Sequence, residues 1–125
     1  MGLWARLSAR LRGQQGEAEA LRLLEAHGLK LLACNYAVSG GEIDLIMRDG
    51  EAVVFVEVRW RSHAEFGSGA DSVDLTKQRR LQTAARAWIS AHPRLARSPL
   101  RFDIVSGGQG EPVWYRNAFE PRSPW

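Results

Sequence analysis

Four titratable side chains, Glu17, Asp44, Glu57 and Lys77, stand where their charge conflicts with the pattern around them. Glu57 follows Ala52-Val53-Val54-Phe55-Val56, a run apolar enough for a strand covered on both faces. A bare carboxylate near the middle of such a strand costs several kcal/mol. Asp44 lies in Glu42 to Arg48, which alternates: Glu42, Asp44 and Ile46 on one face, Ile43, Leu45 and Met47 on the other. Asp49-Gly50 between the two segments is the signal of a type I′ hairpin. A two-residue turn there pairs Arg48 with Glu51, sets Asp44 opposite Phe55 and Glu57 opposite Glu42, and puts all four of the latter on one face. Asp44 and Glu57 then become diagonal neighbours, roughly 7 Å apart between backbones. Like charges so placed call for a neutralising partner. A hard divalent cation with oxygen ligands supplies one, and magnesium typically takes one or two protein carboxylates plus waters. The competing reading is that the strand ends at Glu57, which then pairs with Arg59 or Arg61.

Glu17 opens a helix and precedes Ala20 and Leu21 by three and four positions, so it shares their inward face. The helix dipole favours an acid there by only ~0.3–1 kcal/mol and does not require it to point inward. Glu17 is therefore a candidate third carboxylate as well as a simple first-turn acid. Lys77 stands four residues before Leu81 on a buried stripe, near a helix N-terminus that disfavours a cation. Either its stem covers apolar surface while its ammonium reaches water, or it reaches the carboxylates or a substrate phosphate. Arg79, Arg80, Arg86, Arg94 and Arg97 form a basic ridge suited to gripping phosphate without reading bases, with Gln78 as a further contact. His63 is a loop histidine, and Cys34 reads as a packing residue.

These groups need elements to hold them. Helical spacing predicts a helix over 14–27 closed by Gly28, with Ala20, Leu21 and Leu24 buried. Strands follow at 29–37, 42–48 and 51–60. A loop with Gly67 and Gly69 spans 61–72 and leads into a helix from about Ser72 to His92, stopped by Pro93, with Leu81, Ala84, Ala85 and Trp88 buried. Strands at 101–105 and 113–115 close the chain, and Pro121 to Trp125 reads as a loose tail. Leu3, Trp4, Leu7 and Leu11 recur at helical spacing among arginines, a basic arm that docks on the core.

At 125 residues the chain is one domain: arm 1–12, core 13–119, tail 120–125. A single cysteine, no ~20-residue apolar run and no secretory pattern favour a cytoplasmic protein without a membrane partner. The net charge of +3 hides an asymmetry, with −5 over residues 13–72 and +5 over 73–97. Acidic and basic regions side by side are what a metal-dependent phosphodiester site requires.

Several motifs together resemble the YraN family of small bacterial proteins. They are Gly16-Glu17 opening a helix, Asn35, Gly41-Glu42-Ile43-Asp44-Leu45-Ile46, Phe55-Val56-Glu57-Val58-Arg59-x-Arg61, Lys77 and Arg101-Phe102-Asp103. That family is similar to Holliday-junction resolvases and the wider PD-(D/E)xK nucleases. The resemblance implies an α/β, restriction-endonuclease-like core: a mixed sheet of four to five strands flanked by helices. It also implies Glu17, Asp44 and Glu57 as metal and catalytic residues, nucleic acid (DNA rather than RNA) as partner, and a homodimer by analogy with resolvases. Position 59 departs from the signature, with Arg where the nucleases carry Lys. Arginine stays charged and cannot act as a base, which leaves Lys77 as a substitute or catalysis lost.

The expected activity is a Mg2+- or Mn2+-dependent endonuclease-like cleavage of structured DNA. Glu17, Asp44, Glu57, Arg59 and Lys77 form its site, and Arg79, Arg80, Arg86 and Gln78 hold the substrate backbone. The alternatives are a nucleic-acid-binding module that kept the fold but not cleavage, and a protein-interaction adaptor using Trp88, Trp114 and Trp125.

Overall fold

A strand as apolar as Val53–Val56 must be covered on both sides, and the chain covers it with one helix per face. The computed structural model describes residues 16–60, 73–108 and 110–122. The elements are α1 (Glu17–Ala26), β1 (Lys30–Val38), β2 (Gly41–Asp49), β3 (Ala52–Trp60), α2 (Leu75–Ala91), a 3-10 turn (Pro93–Leu95), β4 (Leu100–Gly107) and β5 (Val113–Tyr115). One sheet contains the five strands in sequence order. The β3–β4 pair is parallel and the other three are antiparallel. This is the expected α/β mixed-sheet architecture, consistent with a restriction-endonuclease-like core. The arm at 1–12, the 61–72 loop with His63, and Trp125 lie outside the described residues.

Helix α1 lays Ala20, Leu21 and Leu24 on Cys34, Leu45, Met47, Val54, Val56 and Val105. Helix α2 lays Leu81, Ala84, Ala85 and Trp88 on Ile46, Val53, Phe55, Phe102 and Ile104. Each fully buried Leu, Ile, Val, Phe or Met among them contributes about 1.5–3 kcal/mol. The burial of Trp88 removes it from the surface and weakens the adaptor reading, which needed it as a contact residue. Helix α2 starts at Leu75 rather than Ser72 because Asp74 caps it, its Oδ1 accepting from the Lys77 backbone N–H at 2.9 Å. That cap fixes the first turn and with it the place of Lys77.

The hairpin register differs from expectation. The pairs are Asp49↔Ala52, Arg48↔Val53, Met47↔Val54, Ile46↔Phe55 and Leu45↔Val56, so Arg48 does not face Glu51 and Asp44 does not face Phe55. The turn is Gly50-Glu51. Gly50 has φ +60° and Glu51 is not among the positive-φ residues, the pattern of a II′ turn with glycine first. The slip is two residues, so the faces are conserved. The ladder ends at Leu45↔Val56, so neither of the expected pairs, Asp44 with Phe55 and Glu42 with Glu57, is formed.

Strict alternation also fails. Ile43 packs with Ile46 against α2, whereas Leu45 and Met47 face α1. The switch falls at Asp44 and, in the neighbouring strand, at Asn35, whose φ is +53°. Asparagine tolerates that left-handed conformation better than most residues. On either side of it, Cys34 faces α1 and Tyr36 packs toward α2. The kink sits between the pairs Cys34↔Leu45 and Tyr36↔Ile43.

Within the expected tail, Arg122 is held. Buried Gln82 grips Arg122 from both sides, accepting its N–H at 2.8 Å and donating to its carbonyl. Phe119 stacks on Phe102 with ring centroids 4.9 Å apart.

Candidate active site

Strand β2 kinks at Asp44, and its ladder with β3 stops one residue earlier. The Val58 N–H donates to Asp44 Oδ2 at 2.8 Å, so a side chain ties the two strands where their ladder has ended. This places the Asp44 carboxylate beside Glu57 at the open end of the hairpin. Glu57 is only 2% exposed. Its Oε2 meets Lys77 Nζ at 3.2 Å and Arg59 Nη1 at 3.6 Å, while its Oε1 is buried with no hydrogen-bond partner. Strand β3 runs on to Trp60, so it does not end at Glu57 as the competing reading held, although Glu57 does lie within ion-pair distance of Arg59.

Asp103 shows what a fully satisfied buried carboxylate looks like in this fold. At 1% exposure it accepts from Arg101 at 2.9 and 3.0 Å, from Trp114 Nε1 at 2.9 Å and from the Asn117 N–H at 2.9 Å. Those bonds fasten β4 to β5 and the segment after it. The Arg-Phe-Asp motif is thus a structural joint, whereas Glu57 keeps an oxygen bare.

Burial, and then the nearby Asp44 carboxylate, push Glu57 up to about 8. Lys77 offsets part of that rise. The contact between the Asp44 and Glu57 carboxyls is a hydrogen bond only when a proton is shared; with both ionised it is a repulsion. Glu17 is drawn into the same cluster. Burial, followed by Asp44, raises it to about 7, and a hydrogen bond with Asn35 works in the other direction. Asp44 is therefore the middle member of three carboxyls, with Glu17 and Glu57 each interacting with it.

A close approach that no motif announced positions Glu17. The Trp60 indole, at the end of β3, lies against Gly16 and Gly107, where a Cβ on either glycine would run into the ring. The start of α1 is thereby pinned to β3 and β4. The only hint in the sequence was a large aromatic at the end of a strand.

Lys77 sits between Glu57 and Glu42, with its Nζ 3.3 Å from Glu42 Oε1. Arg80 Nη2 holds the other Glu42 oxygen at 2.8 Å. Burial pulls the Lys77 ammonium down, but Glu57 and Glu42 outweigh it and leave it above its ordinary value. At neutral pH Lys77 is a cation and not a base. Gln78 Nε2 donates to the Val73 carbonyl at 3.2 Å, a local bond rather than an outward-facing contact. Arg79 and Arg86 lie on the exposed side of α2, while Arg80 is engaged with Glu42.

Among the described residues, no three His, Cys, Asp or Glu side chains enclose a ready-made metal cage. The donor chemistry nevertheless suits a hard divalent ion. The Asp44 and Glu57 carboxyls interact, one oxygen of Glu57 lacks a donor, and two carboxylates plus waters are enough for magnesium. No helix among the described residues is long and apolar enough to cross a membrane.

Comparison with known proteins gives a family. A model described as uncharacterised protein family UPF0102 matches residues 16–106. A UPF0102 protein of Xanthomonas euvesicatoria pv. vesicatoria is 52% identical over 110 residues, covering 86% of this chain and 90% of the relative. One from Alkalilimnicola ehrlichii is 50% identical over 107 residues, covering 86% and 85%. One from Pseudomonas entomophila is 49% identical over 113 residues, covering 86% and 92%.

Proposed function

The chain belongs to the UPF0102 family, the YraN family of the sequence resemblance, and on that premise we propose that it is a divalent-metal-dependent nuclease acting on structured DNA. The observation that carries this reading is Glu57: a carboxylate buried beside a second one, Asp44, with an oxygen left bare. A bound cation would offset the several kcal/mol that an ionised carboxylate costs in such a place.

Asp44 and Glu57 would hold Mg2+ or Mn2+, and Glu17, reaching Asp44 from α1, would complete the acidic wall or hold a water. When bound, such an ion lowers the pKa of coordinated water and neutralises charge developing on a phosphate. The remaining work belongs to the cations of this chain. Arg59 and Lys77 flank Glu57 and are placed to meet the scissile phosphate. Both carry fixed charge, so they stabilise the added negative charge electrostatically and do not take a proton. Arg79 and Arg86, on the exposed side of α2, would hold the backbone beyond the site.

One observation favours a second reading, a nucleic-acid-binding module without cleavage. Arg59 and Lys77 already lie within ion-pair distance of Glu57, which can make the cluster a self-contained structural network. Incubation with a panel of branched and linear DNAs in Mn2+ separates the two. The nuclease reading expects nicked product that disappears in Glu57→Ala. Intact DNA at every metal concentration, with binding retained, would leave the module.

A further inference from the structure

The far end of the β2–β3 hairpin carries a second basic feature built from different elements. Arg48 from β2, Arg94 in the 3-10 turn after α2, and Arg97 with Ser98 and Pro99 before β4 line an open depression of about 310 Å³, with Leu95 and Glu51 completing its wall. All three arginines are exposed. Arg94 and Arg97 form no ion pair among the described residues. Arg48 makes only a backbone contact, its Nε donating to the Gly50 carbonyl at 3.0 Å. The nearby acid at the hairpin tip, Asp49, is occupied by Arg101 at 3.1 Å. Glu51 remains, so three guanidinium groups face one carboxylate across a concave surface.

Guanidinium groups presented without partners around a concavity, and with no bare buried carboxylate among them, suit an anion rather than a metal. We infer that this depression grips a phosphate of the DNA backbone at a distance from the carboxylate site, an inference that rests on the nuclease reading above. Arg48 is four strand residues from Asp44, about 13 Å at roughly 3.3 Å per residue. Along one DNA strand, phosphates advance ~3.4 Å per base pair, so the backbone spacing from Asp44 to Arg48 matches about four base-pair steps. Arg48 and Asp44 share strand β2, and the 3-10 turn and the segment before β4 bring the other two arginines beside Arg48. Such a grip fixes where a duplex arm lies relative to the cleavage point and reads no base.

The test is fluorescence anisotropy of a labelled branched DNA, titrated without divalent metal at several salt concentrations. It compares the wild-type chain, Arg94→Gln/Arg97→Gln, and Arg116→Gln as a matched arginine elsewhere on the surface. The double variant is expected to lose on the order of tenfold affinity per arginine near 0.1 M salt, and its log–log salt slope to flatten by about 1.8. Its thermal midpoint should match wild type, because both side chains are exposed. Arg116→Gln should leave the slope unchanged. Equal affinity and slope in the double variant, or an equal loss in Arg116→Gln, overturns this inference and leaves the nuclease reading standing. A wild-type chain that binds no DNA here, and none with Ca2+ added, overturns both.

Discussion

Replacing Glu57 by glutamine should stabilise the metal-free protein at alkaline pH, although the change removes a partner of Lys77. Glu57 is 2% exposed and titrates at about 8, against 4.5 for an ordinary glutamate. Between those values the native state keeps a proton that the unfolded chain has lost, so stability is greatest below about 4.5 and falls as pH rises through about 8. At about 1.4 kcal/mol per pH unit the full span sets an upper bound near 5 kcal/mol. Water entry and local relaxation reduce the effective cost, so about 2–3 kcal/mol is expected. Glutamine keeps the shape, never ionises, and can donate its amide to Asp44. The assay is urea denaturation of wild type and Glu57→Gln at pH 5.5 and pH 8.5 in the presence of a chelator. The variant should be within about 1 kcal/mol of wild type at the lower pH and clearly more stable at the higher. Added Mn2+ should close the gap by stabilising wild type alone. A variant equally destabilised at both values would show that Glu57 is an ordinary ion-pair partner of Lys77 and Arg59, and the argument from burial would fail.

Gly41→Ala places a Cβ against the Arg80 carbonyl and the Ala84 N–H of α2, so it should cost roughly 1–3 kcal/mol by thermal or urea unfolding. Asp103→Ala leaves Arg101 with Asp49 alone and unpairs Trp114 Nε1 and the Asn117 N–H, and should cost about 2–4 kcal/mol in the same measurement. Lys77→Met removes the cation at 3.2 Å from Glu57. Cleavage in Mn2+ is expected to fall on the order of 10²-fold in single-turnover assays, with DNA affinity changed less than about tenfold. Asn35→Val forces a β-branched residue to φ +53° and should destabilise by about 1–3 kcal/mol, with Asn35→Gly much milder.

Much of this was legible from pattern alone. Period-two alternation and an apolar run identified β2 and β3, and the inward placement of Glu17 followed from Ala20 and Leu21. The register was not legible, because Asp49-Gly50 and Gly50-Glu51 are both acceptable two-residue loops. The choice between them depends on which residue must adopt positive φ, and Gly50 serves either way. The error of two residues altered the partners of the paired stretch, and the acids still meet because the Asp44 carboxylate reaches the Val58 N–H just beyond the end of the ladder. The face switch at Asn35 and Asp44 was hidden for a different reason. A kink shared by two strands leaves no periodic trace when the residues around it are all apolar. The Gly16–Trp60–Gly107 contact and the Gln82 grip on Arg122 are long-range, and no local rule reaches them.

The central claim is that Asp44 and Glu57 jointly take a divalent ion, and anomalous diffraction from crystals soaked in Mn2+ near pH 8 tests it most directly. The account predicts an anomalous peak shared by the two carboxylates, absent in crystals of Glu57→Gln. Clear maps with no peak there, and with Glu57 held only by Lys77 and Arg59, would contradict it.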